Sequence, residues 1–386
     1  MISNKSNKHF IQEILENFAT TAIEQLKESL ENLLNHLMIA EREDFVGASP
    51  YERTANRQGH CNGFKDKKLL TRTGELELRV PQVRGESFYP SCLEKGEKVE
   101  QPLKLALAEA YVQGVSTRKM KEITEKLCGK EISSTQVSRF GALLDEEVLK
   151  FKMPPLGSYA YLFLDAQYEK VRYDGAVRSM AVLKAVGVTS EGFREVLSVS
   201  CSLSEAEVHW RGFLEELLRR GMHGIKMITS DQHLGLTAAL RGVFPSVPWQ
   251  RCLFHLAQNG GAYAPNASMK AELCQAVKEI YSGVDRAEAE TRLKRIIDRY
   301  QSRASRFCDW LEEKFIEGLT FYQFPKDHWK KIRTVNIVER LNQEEKRRTR
   351  VARLFPSVSS CEPLVVTIGM RMNEEWSSAG RIYLKM

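Results

Sequence analysis

The chain has 386 residues, 42% hydrophobic, 28% charged and 9% aromatic, values that exclude a mostly disordered chain and leave room for two or three domains. No apolar run approaches the roughly 18 residues of a membrane span, and the N-terminus lacks the apolar core and cleavage site of a secretory signal, so a cytoplasmic protein is expected. The net charge is +7 and it is concentrated: from Lys326 to Arg353 ten Lys and Arg face four acids, which reads as a polyanion-facing surface or as a solvated helix face.

Ile11, Leu15, Phe18, Ala22, Leu26, Leu30, Leu33 and Leu37 recur at steps of three and four, predicting one long helix in residues 1–46. Its apolar stripe needs a cover, either the rest of the chain or a second copy. In 47–100 the character changes. Asn62-Gly63 and Thr73-Gly74 are turn signals, and Glu75 to Val80 alternates with period two. A small, basic, β-rich segment is predicted.

Residues 101–153 read as short helices. Ser116 and Thr117 cap a helix running to about Leu127, Gly129 turns the chain, and Ser133 or Ser134 caps a second helix. This is the layout of a helix-turn-helix, whose second helix would offer Ser134, Thr135, Gln136 and Arg139 to a DNA groove, or of an ordinary helical hairpin.

After the linker Pro154-Pro155-Leu156-Gly157, residues 157–256 alternate between strands and helices. Strands are predicted at Tyr161–Asp165, Met180–Val188, Glu195–Val199, Ile225–Thr229 and Trp249–Phe254, with helices at Glu205–Arg219 and Leu234–Val243. By analogy this β-β-β-α-β-α-β order is that of an α/β, ribonuclease-H-like domain. Residues 257–325 read as an all-helical insertion. Residues 326–386 would hold a helix from near Asn336, the basic stretch and a short final helix, Met370 to Ser378. The eight cysteines include no C-x-x-C pair, so reduced, buried thiols are expected.

Asp165 and Asp231 each follow an apolar strand, where chemistry on open α/β sheets collects. Two acids close together repel unless a cation lies between them, and Mg²⁺, with its preference for oxygen ligands, is the natural one. Glu339 is the third candidate ligand. It shares a helix face with Asn336, Gln343, Lys346 and Arg350, opposite Ile337 and Leu341. Each acid also has a plain structural explanation: a strand end for Asp165, an N-cap for Asp231, a capping box with Asn336 for Glu339. Cys252 and His255 show half of a zinc spacing with no partner pair nearby.

Several ordered blocks resemble the Mutator-type transposases of bacterial insertion sequences. They are Tyr161 to Arg172, Arg220-Gly221, Ser230 to Leu236, Trp249 to His255, Asn336 to Asn342, Arg347 to Arg350, Phe355-Pro356 and Glu375-Trp376, with Tyr111 to Arg118 and Val137 to Arg139 upstream. The resemblance spans about residues 45 to 385. Val335 and Gln232 depart from the commoner residues of the family, and neither replaces an acid.

The resemblance implies a DDE recombinase with Asp165, Asp231 and Glu339 as catalytic and metal-binding residues, and His255 and Cys252 near the site. It implies Mg²⁺, with Mn²⁺ as a substitute and two ions as the expected number. The implied partners are DNA, as terminal inverted repeats and target, and further copies of the chain, with neither membrane nor small-molecule substrate. Arg340, Lys346, Arg347, Arg348 and Arg350 would hold backbone phosphates. Two alternatives stand beside this reading: a metal nuclease without strand transfer, and a non-catalytic DNA-binding regulator.

Overall fold

The computed structural model describes residues 3–49, 52, 57–85, 87–113, 115, 117–130, 133, 143–352, 354–355 and 357–386. It divides into two units, 1–140 and 141–386.

The first unit is built on helix α1 (Ser3–Val46) and an antiparallel hairpin, β1 (His60–Thr71) and β2 (Gly74–Arg84). Leu30, Leu34 and Met38 pack on Leu76, Leu78, Val80 and Leu93. The side chains of Glu31 and Asn35 accept hydrogen bonds from the backbone N–H of Glu77 (2.7 Å) and Arg79 (2.9 Å), so α1 also satisfies part of the free edge of β2. The predicted stripe therefore splits: Leu30 faces the hairpin, while Leu26, Leu33 and Leu37 stay about half exposed. The turn at Thr73-Gly74 closes the hairpin. Asn62-Gly63 is not a turn. It lies inside β1 at a break in register between Cys61 and Phe64, where Gly63 has φ 69°, the left-handed conformation a bulge commonly uses. Helices α2 (Gln101–Val112) and α3 (Thr117–Cys128) follow. The predicted second helix of the helix-turn-helix, with Ser134, Thr135, Gln136 and Arg139, lies outside the described residues.

The second unit opens with α4 (Leu143–Lys152) and a five-stranded sheet. Strand β3 (Tyr159–Tyr173) turns back through Asp174-Gly175, both at positive φ, into β4 (Ala176–Thr189), and β5 (Arg194–Ser202) continues antiparallel. Helix α5 (Glu207–Arg219) leads to β6 (Met227–Ser230), and α6 (Leu234–Val243) leads to β7 (Trp249–Arg251). The order is β5-β4-β3-β6-β7, with β6 parallel to β3 and β7 parallel to β6.

Alternation along the strands divides the faces. Leu162, Leu164, Ala181, Leu183 and Ala185 join Trp210, Phe213, Leu214 and Leu217 of α5 and Leu236, Ala239 and Leu240 of α6 in one core. The opposite face receives two later helices, α12 (Asn336–Ala352) and α13 (Val358–Ser378). Between β7 and α12 run α7 (Leu253–Gly261), α8 (Ala267–Ile280), α9 (Arg286–Tyr300), α10 (Ser305–Lys314), two 3₁₀ turns and α11 (Lys326–Ile332). They surround their own buried set, including Leu273, Val277, Tyr281, Phe307 and Leu311. Helix α13 is far longer than the predicted Met370–Ser378, because Pro363 and the β-branched run after it conceal its first half in the sequence. No helix of the described residues is long and apolar enough to cross a membrane.

Candidate active site

Strands β3 and β6 are in register with Tyr161 opposite Met227, Leu162 opposite Ile228 and Phe163 opposite Thr229. Two residues past the last of these pairs come Asp165, still on β3, and Asp231, the residue after β6. Both acids thus lie at the same end of the β3–β6 ladder, and the charge of Asp165 is felt at Asp231. On its other flank Asp165 pairs with Lys184 of β4. Asp165 is 5% exposed, and its Oδ2 accepts a 2.6 Å hydrogen bond from Nδ2 of Asn342 on α12.

The N-cap explanation does not suit Asp231, and one oxygen of Glu339 stands outside any capping bond. The N-cap of α6 is His233, without a side-chain cap bond, so Asp231 does not cap it. Glu339 stands in the first turn of α12 with its Oε1 buried and without a hydrogen-bond partner, so that oxygen caps no backbone N–H.

The electrostatics join these groups. Asp231 is pushed up to about 6, first by burial and then by the charge of Asp165, with Glu205 adding and His255 and His233 opposing. Glu339 is also raised by burial, opposed by His255 and reinforced by Asp165. The His255 ring is pushed up to about 9: burial lowers it, but Cys252, Asp165 and Asp231 together outweigh burial. Asp165 is thus the common neighbour of the other two acids, with His255 as their counter-charge. Among the described residues no three such side chains are gathered tightly enough to cage an ion. The donor set nevertheless suits a hard divalent cation: carboxylate oxygens, desolvated and mutually repelling, one of them without a partner.

Cys252 does something else. It is fully buried at the start of α7, its N–H donates to the Ser230 carbonyl at 2.7 Å, and its sulfur accepts from the Val335 N–H at 3.4 Å. Leu253 N–H adds a bond to the Arg333 carbonyl at 3.0 Å. The cysteine therefore ties the strand that delivers Asp231 to the turn that starts the Glu339 helix. Sequence reasoning missed Asn342 and Lys184. The available signal was that Asn342, three residues after Glu339, lies near the same helix face.

The basic candidates are not equivalent. Lys346 and Arg350 are exposed and carry no ion pair among the described residues. Arg340 is half exposed and bonded to Glu375 at 2.5 Å. Arg347 and Arg348 both reach Glu344, and the Arg348 side chain is only 10% exposed.

Residues 1–379 match the model of the family described as "Transposase, Mutator family". The chain is 47% identical over 359 residues to the transposase for insertion sequence element IS406 of Burkholderia multivorans, covering 92% of each chain. It is 40% identical to the transposase for ISRM5 of Rhizobium meliloti, covering 94% of this chain and 90% of that one. It is 35% identical to the transposase for IS256 in transposon Tn4001 of Staphylococcus aureus, covering 93% and 92%. With a family match over nearly its whole length and relatives this similar, the chain belongs to the Mutator family of transposases.

Proposed function

We propose that this protein is a DNA transposase that cleaves at the terminal inverted repeats of its element and joins the freed ends to target DNA, with Asp165, Asp231 and Glu339 as its catalytic acids. The observation that carries the assignment is the convergence of the acids: β3 and β6 pair in parallel up to Phe163 and Thr229, two residues short of Asp165 and Asp231, and the charge of Asp165 bears on both Asp231 and Glu339, whose Oε1 is buried without a partner. The strand order, with the middle strand carrying the first acid and its parallel neighbour leading directly into the second, supports a ribonuclease-H-like catalytic domain.

The three carboxylates would hold Mg²⁺ or Mn²⁺, two ions in the full site. When bound, these ions supply activation of the attacking oxygen and neutralisation of the leaving one in an in-line displacement. Asp165 contributes its oxygens from the sheet, Asp231 from the residue that follows β6, and Glu339 from a helix anchored by Cys252. His255 offsets the charge of the acids. Lys346 and Arg350, on the exposed edge of the Glu339 face, hold DNA phosphates, and residues 134–139 read bases. A second copy covers Leu26, Leu33 and Leu37 of α1, so that two element ends are handled together in the cytoplasm, at the nucleoid. The segment 101–153 serves as a DNA-binding region and 257–325 as an insertion in the catalytic domain.

The test uses a labelled duplex ending in the element's terminal repeat, a target plasmid, Mg²⁺ and the purified protein. Label joined to the plasmid is expected. Cleavage without joined product supports a nuclease instead, and specific binding without either supports a regulator.

A further inference from the structure

Behind Asp165 lies a buried polar chain that the catalytic acids do not account for. Lys184, wholly buried, is the β4 register partner of Asp165. Its Nζ reaches Glu345 Oε2 at 2.6 Å and donates to Asn342 Oδ1 at 2.6 Å. Asn342 Nδ2 in turn donates to Asp165 Oδ2 at 2.6 Å. Glu345 is 1% exposed. One rung further along the same strand and helix, Thr349 and Gln167 both donate to Glu169 Oε1, at 2.9 and 3.0 Å.

A buried ion pair is a poor source of stability, since desolvating both ions offsets most of their attraction and an apolar pair of similar size does as well or better. The Lys184–Glu345 pair has a further consequence. An ammonium can only donate and an ionised carboxylate can only accept. The Asn342 amide sits between one of each, so a single orientation satisfies both. Flipping it would set the amide NH₂ against Lys184 and its oxygen against Asp165, losing two bonds and adding two repulsions.

We infer that Asn342 is a positioning residue for Asp165, locked in orientation by the buried ammonium of Lys184, which Glu345 in turn pairs. It holds Oδ2 of Asp165 and leaves Oδ1 as the atom that meets the divalent ion. Because Asn342 and Glu339 ride on one helix, the same bond fixes the distance between the first and third acids. The inference rests on the three-acid reading above.

The test is calorimetric Mn²⁺ binding to the full-length protein without DNA, together with melting temperature and affinity for element-end DNA. Asn342→Ala and Asn342→Ser remove the bond to Asp165. Lys184→Met combined with Glu345→Leu keeps the packing and frees the amide. All three variants are expected to bind Mn²⁺ about 10- to 100-fold more weakly, the usual cost of losing a partner of a metal ligand, with DNA affinity unchanged. Wild-type Mn²⁺ affinity in whichever Asn342 variant folds overturns the inference, and wild-type affinity in the folded double variant overturns the lock. Unchanged Mn²⁺ binding in Asp165→Asn overturns the three-acid reading, and the inference falls with it.

Discussion

Asp165 on β3 and Asp231, the residue that follows β6, are far apart in the chain yet close enough for the charge of one to raise the proton affinity of the other, because β3 and β6 pair in parallel up to Phe163 and Thr229, two residues short of each acid. A sheet fixes such a spacing more rigidly than loops can, and that rigidity keeps two like charges together in a half-buried site. The cost of doing so is measurable.

The folded state holds the Asp231 proton up to about 6, against an ordinary value of 3.8. Its contribution to stability is therefore full below the ordinary value and is lost as pH rises through about 6. At neutral pH and without metal, Asp231→Asn is expected to be more stable than the wild type by about 1–3 kcal/mol, or roughly 2–6 °C in melting temperature. Divalent ions are expected to raise the wild-type melting temperature and to leave that of Asp231→Asn nearly unmoved. Thermal melts across pH 4 to 8, with and without Mg²⁺, check both.

Lys346→Gln and Arg350→Gln are each expected to weaken binding to any DNA sequence and to lower the slope of log affinity against log salt by about 0.9. Arg348→Gln is expected to act on folding instead, because its guanidinium is mostly covered and bonded to Glu344 at 2.5 Å. Salt-dependent binding isotherms separate the two kinds of arginine.

Cys252→Ala removes the acceptor of the Val335 N–H and leaves a small void at a fully buried position. A loss of about 1–2 kcal/mol is expected, with cleavage reduced more than DNA binding. Purified wild-type protein is expected to contain no stoichiometric zinc, which elemental analysis checks.

Gly235 opens α6 just after Asp231, and a Cβ there would lie 2.0 Å from the Glu205 carbonyl oxygen. That oxygen is backbone, so α6 itself must move. Gly235→Ala is expected to destabilise by about 1–3 kcal/mol, read from denaturant unfolding.

Much of this was legible in the chain. The strand and helix order of the second unit follows from apolar runs punctuated by glycine, and Asp165, Asp231 and Glu339 stand out because two follow short apolar runs and the third opens a basic helix, although Asp165 proves to lie inside β3 and not at its end. Other features were concealed for identifiable reasons. Strand β3 runs eight residues beyond Asp165 because Asp174-Gly175 closes a tight hairpin, a signal present in the sequence but masked by the charged residues before it. The buried Lys184 looks like an ordinary surface cation until β4 is placed beside β3 and α12 is laid over both. Cys252 and His255 form a recognisable pair in the sequence, yet only the fold shows what they do: the Cys252 sulfur accepts from the N–H before a helix start, and the His255 ring is raised by Cys252 and by the charges of Asp165 and Asp231.

The most direct measurement compares wild type and Glu339→Gln on a plasmid carrying the element with its native flanks, in Mg²⁺, with every new 3′ end mapped. Both proteins should bind the terminal repeats equally. Wild-type cuts are expected at the outer borders of the repeats, with ends joined to new DNA, and neither cuts nor joints from Glu339→Gln. Cutting by Glu339→Gln at the wild-type rate and positions would contradict the three-acid assignment.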